Sequence, residues 1–562
     1  MSRFAFCVVA ALSFAASTAS AQPVSTAAVA TRQSTHAQLV GLFADWRAFN
    51  HPVINHGRPD YSAAAMAAKA ARLPAFRRRL AAIDRRGWTA SQLGDFRLVE
   101  AEMNGFDFFH RVLRPWARDP GFYQTIFAEM SDVPAHEGPS AEPNIDLHTC
   151  TYPLSRTDDA RLTGLLGAVP ALLDDARVNL AGSKAHELWV YGDRAFNEQA
   201  EALAALEAGT LEMNDLEGKR RATLDGASTE LRKAVRDARV ATERFAAWIK
   251  AETPRHIGQS GVGKANYDWY LSHVLLSPYD FDAQKVLLQR ELDRSLASLR
   301  LEEMRNRAAP PIAEINDPAA YRVMAEQRTA KLYALLTDAG FIADRPWYRA
   351  ALASQTGSYT PPAQRNFFTH VTAVDPLPLL SHQTHWIELA RLRHEPHPSP
   401  IRQQPPLFNI FEDRSEGFAT AMEELVMQAG LYDDIPHGRE LVWIMLANRA
   451  ARGLASLQVQ ANEISLAEAG KFHALWTPRG WSDASSRLVG FEQLLYLRQP
   501  GYGPSYIVGK VQLDHLLALA SHRAEAENRP FVAREAFAAI LNSGIVPPAL
   551  IEPEMAEAAG SR

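Results

Sequence analysis

Apolar residues recur every three or four positions through long stretches of this chain, a period that only a helix can turn into one buried face. Leu231, Val235, Ala238, Thr242, Phe245 and Ile249 keep that spacing over about five turns. Phe76, Leu80 and Ile83 repeat it on a smaller scale. "EALAALEAGTLEMNDLEGKRRATLDG", residues 201–226, is rich in strong helix formers and reads as helix. Alternating strand patterns are scarce. "GSYTPPAQRNFFTHVTAV", residues 357–374, gathers aromatic and β-branched residues between prolines and is the place for short strands. The expected fold class is therefore mainly α, with long helices and few short strands.

With 562 residues, 47% of them hydrophobic and 22% charged, the chain is long enough for a large core or for two lobes. A formal net charge of -5 and the lack of a long basic block argue against nucleic acid as a partner.

The chain opens "MSRFAFCVVAALSFAASTASAQP". Arg3 precedes a short apolar run, and Ala19-Ser20-Ala21 fits a small-residue cleavage site. Residues 1–21 are expected to be a secretory signal peptide, with the mature chain starting at Gln22 and residues 22–562 forming one helical domain or two lobes around a cleft. No later stretch has the roughly 18 to 20 uninterrupted apolar residues that a spanning helix needs, so membrane insertion is not expected. Cys7 leaves with the signal, and Cys150 is then alone, so stability must come from the core. The expected location is periplasmic or secreted.

Three segments carry candidate chemistry. "HQTHWIEL", His382 to Leu389, sets two histidines three apart and a glutamate three further on. On a regular helix His382, His385 and Glu388 share a sector of about 120°, where imidazoles and a carboxylate can meet one ion. The same residues also suit a helix packed on a core. "EDRSEGFATAMEELVMQAG" begins at Glu412, with Asp413 or Ser415 as the cap and Gly430 as the stop. Phe418, Met422 and Leu425 form its apolar stripe. Glu416, Thr420 and Glu423 lie opposite, either solvated or facing His382 across a cleft. "QPGYGPSYIVGK", from Gln499, is a tight turn into a helix, with Tyr506 placed either to aim a phenol into a cleft or to pack. "HEPH", from His394, is broken by Pro396 and cannot present its side chains together.

In this order the three segments resemble a bacterial family known as domain of unknown function 885. The family pattern H-E-T-Y-P-G-H-H meets "HQTHWIEL", E-G-W-A-L-Y-x-E meets "EGFATAME", and P-G-x-x-x-x-Y-x-x-G meets "PGYGPSYIVG". The resemblance implies a long-helix, zinc metallopeptidase-like fold around a central cleft. It makes His382 a metal-binding histidine and Glu416 the glutamate ligand, and it carries Glu423 and Tyr506 over as the family's second glutamate and tyrosine.

The departures alter the chemistry that the resemblance implies. The general-base glutamate has become Gln383, the later ligand histidine Glu388, and the Pro-Gly pair Trp386-Ile387. Further on, R-L-x-x-D-x-G-x-H has become "RGLASLQVQ", with Ser456 and Gln460 for its Asp and His. Gln383 cannot deprotonate a water. A regular helix puts His382 and Glu388 roughly 9 Å apart along its axis, too far for one ion, while His385 lies between them and can substitute. Zinc binding is therefore expected to be weak or lost. Three functions stay open: an acid-base enzyme acting on a small peptide-like or glycan-like substrate, a non-catalytic relative that binds a ligand or partner, and a peptidase whose base is Glu388 or Glu423.

Overall fold

A computed structural model describes residues 35–131 and 143–560. The proposed signal peptide lies outside these residues. Helices make up most of the described residues, as the apolar period requires. The strands among the described residues form three two-stranded sheets, of which only the hairpin Leu211–Asp215 with Gly218–Ala222 is longer than two residues per strand. No helix among these residues is long and apolar enough to cross a membrane.

The Leu231 to Ile249 stripe lies on one helix, Thr229–Glu252, and all six of its residues are buried. Ser228 caps it by accepting from the Leu231 N–H. This helix packs on Arg156–Leu180 and Arg194–Ala208, forming an outer layer. The inner layer is four helices: Phe281–Arg305, Glu412–Gln428, Gly438–Gln460 and Tyr502–Ala526.

Glycine sets how closely the inner helices approach. A methyl group on Gly509 would sit 1.9 Å from the Asp413 carbonyl oxygen, and one on Gly417 would sit 2.3 Å from the Gly509 Cα. The Glu412–Gln428 and Tyr502–Ala526 helices thus cross with their backbones in contact, which any side chain would forbid. A second small-residue contact joins Gly503 to Ser456, where a methyl would meet the Ser456 side chain at 2.7 Å. Ions tie the same helices together: Glu424 accepts from Arg294 Nη1 at 2.9 Å and lies 2.9 Å from Lys510 Nζ.

Four sequence expectations change. Residues 201–226 are not one helix. Gly209 turns left-handed at φ 67, and the chain then enters the hairpin. Leu211, Met213 and Asp215 are buried while Glu212 is exposed, so burial on alternate positions overrides helix propensity. Residues 357–374 hold no strand. Asn366 and Thr369 form a capping box that starts the helix Phe367–Val374. Neither Asp413 nor Ser415 caps the helix that begins at Glu412; Asp413 accepts instead from Gln512 Nε2 at 2.8 Å. Finally, "HQTHWIEL" is not a regular helix. The helix Leu377–His382 ends at Gln383, and Thr384–His394 begins after it. The Gln383 N–H is shared between the Leu379 and Leu380 carbonyls, at 3.2 and 3.1 Å, a local tightening that interrupts the helix.

Candidate functional site

That interruption decides which side chains meet. His385 stays beside His382, with ring centroids 5.0 Å apart. Glu388 is carried away from it and forms a bidentate ion pair with Arg414, with Nη1 to Oε2 at 2.9 Å and Nη2 to Oε1 at 2.5 Å. Glu388 lines a different cavity, with Arg391, His397 and Arg402. Its expected place next to the histidines, as ligand or base, is corrected on that ground. Both its oxygens are taken by a guanidinium buried with it.

The glutamate-bearing helix supplies what Glu388 does not. Glu416 Oε2 lies 3.2 Å from His382 Nε2, and Glu423 Oε1 lies 2.9 Å from His382 Nδ1. Seven residues are two turns, so the two carboxylates of one helix face reach opposite edges of a single imidazole. Tyr502 donates its hydroxyl to Glu416 Oε1 at 2.5 Å. Arg449 donates to Glu423 Oε1 from Nε at 3.0 Å, and its Nη2 reaches the same oxygen. All of these groups are buried, and each carboxylate has the charged or hydrogen-bonding partner that burial demands.

Burial drives the Glu416 carboxyl upward. The hydrogen bond and charge of His382, with His385 and Tyr502, outweigh it and hold the group down at about 2. Glu423 is likewise pulled below its ordinary value, Arg449 and His382 overcoming the cost of burial. Burial pushes His385 down to about 3, helped by the charge of His382, so it is a neutral imidazole with one lone pair to give.

The donor atoms of His382, His385 and Glu416 all lie within 4.8 Å of one another. Two nitrogens and one oxygen form a common donor set for a divalent ion such as zinc. Bonds of about 2.0 to 2.1 Å in a tetrahedral shell put neighbouring donors about 3.3 to 3.4 Å apart, close to the 3.2 Å between His382 Nε2 and Glu416 Oε2. Glu423 sits at the other ring nitrogen, where a carboxylate orients a metal-binding histidine. The residues present therefore fit a cation.

His382, Glu416 and Tyr506 line a cavity of about 280 Å³, together with Gln383, Arg449 and Arg452. Tyr506 stacks near His382, with centroids 6.0 Å apart, and lies under Arg452, whose Cζ is 4.2 Å from the ring centre. Arg452 donates from Nη1 to Glu492 Oε1. Ser131, Gln383 and Phe491 also line a neighbouring space of about 400 Å³, which lies next to this cavity.

Tyr502, Arg449, Arg452 and Glu492 were not among the sequence candidates. A signal existed for the arginines: "LVWIMLANRAARGLASLQVQ" sets both among apolar residues, where a buried cation needs a partner. The substituted positions nearby have structural duties. Ser456 lies at the glycine contact with Gly503. Gln460 donates to the Tyr496 carbonyl at 2.9 Å and accepts from the Val262 N–H at 3.3 Å, tying two segments to its helix.

A family model described as "Bacterial protein of unknown function (DUF885)" matches residues 35–555. Two solved structures share the fold. One is a candidate lipoprotein of unknown function from Shewanella oneidensis, at 11% identity and TM-score 0.64, covering 93% of this chain and 100% of that one. The other is a candidate lipoprotein from Colwellia psychrerythraea, at 13% identity and TM-score 0.62, covering 94% and 100%. No curated protein matches the chain.

Proposed function

The chain belongs to the DUF885 family of bacterial proteins, and within it we propose an exported, cation-assisted acid-base enzyme, of hydrolase type, acting on a small peptide-like or glycan-like substrate. The observation that carries this reading is the convergence of His382, His385 and Glu416, donor atoms within 4.8 Å, at the wall of a cavity. His382, His385 and Glu416 would hold a divalent cation, which would supply Lewis acidity toward a substrate carbonyl.

The remaining roles belong to the chain's own side chains. Glu423 places its charge 2.9 Å from His382 Nδ1 and is itself held by Arg449. Tyr506 offers a donor where negative charge develops. Gln383 can orient a water in the cavity through its amide, yet it cannot take a proton. Proton transfer falls to Glu492, the cavity-lining carboxylate outside the donor set, which burial raises above its ordinary value despite the charge of Arg452.

Gln383 also supports a second reading, a relative that keeps the cleft for binding and has lost turnover. One experiment separates the two. Purified protein is dialysed against zinc and analysed for metal, then screened against peptides, acylated amino acids and uronate-containing glycans. One zinc per chain with turnover that Glu492→Gln abolishes supports the enzyme. Ligand binding without turnover supports the second reading. Absence of zinc uptake refutes the cation site.

A further inference from the structure

Arg452 is 2% exposed and lines the cavity beside His382. Among the described residues its Nη1 donates to Glu492, while its Nε is buried with no acceptor. A guanidinium N–H buried without an acceptor is costly. Together with Nη2 it forms the edge that matches a planar carboxylate. Arg449 lines the same cavity, but its Nε and Nη2 are committed to Glu423.

Charge favours the same class of ligand. Two arginines, Arg449 and Arg452, stand against three carboxylates, Glu416, Glu423 and Glu492, around His382. A divalent cation at the histidines adds two positive charges, which suits an anionic group and repels a cationic one. One part of the wall is apolar, from Phe368, Leu379, Leu488 and Leu495. That patch suits a hydrocarbon side chain next to the anion. Against it the hydroxyl-covered ring of a uronate would lose its water without gaining partners.

The geometry points to a subsite for the terminal α-carboxylate of a peptide-like substrate with an apolar last residue, with Arg452 as the group that binds the carboxylate. This inference rests on the proposed reading of the His382 cavity as a reaction site, and it narrows the substrate to one class. The wider space beyond Gln383 and Phe491 then receives the rest of the peptide.

The test is calorimetric titration of the full chain with N-acetylalanyl-phenylalanine, with the same dipeptide as its C-terminal amide, and with digalacturonic acid, each with and without zinc. The acid is expected to bind at least about ten-fold more tightly than the amide. Arg452→Met removes that preference, and Arg452→Lys, which keeps the charge without the fork, restores only part of it. Because Arg452→Met strands Glu492, the pair Arg452→Met with Glu492→Gln is measured too, with cooperative unfolding as proof of folding. Equal binding of acid and amide overturns the inference. So does a preference that survives in the folded double variant, tighter binding of digalacturonate, or no binding of any probe. Zinc uptake on the same samples keeps the two readings apart. Carboxylate preference without stoichiometric zinc removes the cation site and leaves the subsite; zinc without the preference does the reverse.

Discussion

Adding one methyl group at Gly509 is a direct test of how this site is assembled. The new carbon would lie 1.9 Å from the Asp413 carbonyl oxygen and 2.7 Å from the Gly417 Cα. Ordinary contacts of this kind are about 3.4 Å or more, so the two helices must part by about 1 Å. Both obstacles are backbone, and neither can swing aside. Overpacking of this kind costs about 1–3 kcal/mol, and the gain of about 1 kcal/mol from replacing a helical glycine by alanine offsets only part of it. We expect Gly509→Ala to lose up to about 2 kcal/mol. A chain of this size has an unfolding entropy of about 1 kcal/mol/K, so the melting point falls by only about 2 °C, and denaturant titration is the better measure of stability. The second readout is zinc affinity, since Glu416 lies beside Gly417 and its distance to His382 depends on this crossing. A shift of about 1 Å in one ligand is expected to weaken zinc by at least about ten-fold. Gly41→Ala is the control. Gly41 is an exposed helical glycine with nothing within 4 Å of its added carbon, so that variant should gain up to about 1 kcal/mol. A Gly509→Ala protein as stable as the parent, with unchanged zinc affinity, would refute the close crossing as the device that positions Glu416.

Glu423→Gln removes the charge partner of the fully buried Arg449 and should cost about 3–5 kcal/mol in denaturant titration, with Arg449→Met in the same chain recovering part of it. Glu388→Gln should destabilise through Arg414 by a similar amount yet leave zinc stoichiometry by elemental analysis unchanged, since Glu388 is outside the donor set. Tyr506→Phe should lower turnover by about 10²- to 10³-fold, with the melting point unmoved. Burial raises the Asp413 carboxyl from 3.8 to about 7, partly opposed by Gln512. The folded state therefore holds the proton more tightly than the unfolded chain. The stability this contributes is complete below about pH 4 and is lost as pH rises to about 7, by a few kcal/mol. Asp413→Asn should flatten that slope, and equal slopes in parent and variant would contradict the assignment.

What could be read from the residues alone was what depends on neighbours along the chain. The spacing of Leu231 through Ile249 defines one buried helix face because residues three and four apart stack on any helix. The pairing of Glu416 with Glu423 on one face follows from the same arithmetic, as does the turn at Gly501 that leads Tyr506 into its helix. The rest depended on what lies across an interface. Helix formers in residues 201–226 lost to alternate burial in a hairpin, an outcome set by the surface beneath them. Glu388 shares a helical sector with His382 on paper, but the interruption at Gln383 and the waiting guanidinium of Arg414 send it elsewhere. Arg449 and Arg452 stand in the chain as two cations among apolar residues, and only packing reveals that Glu423 and Glu492 meet them at a cavity wall. Local spacing says which side chains share a face. Which faces meet is decided by how closely helices can cross, and here two glycines, Gly417 and Gly509, permit the contact that brings a histidine from one segment, a glutamate from a second and tyrosines from a third into one pocket.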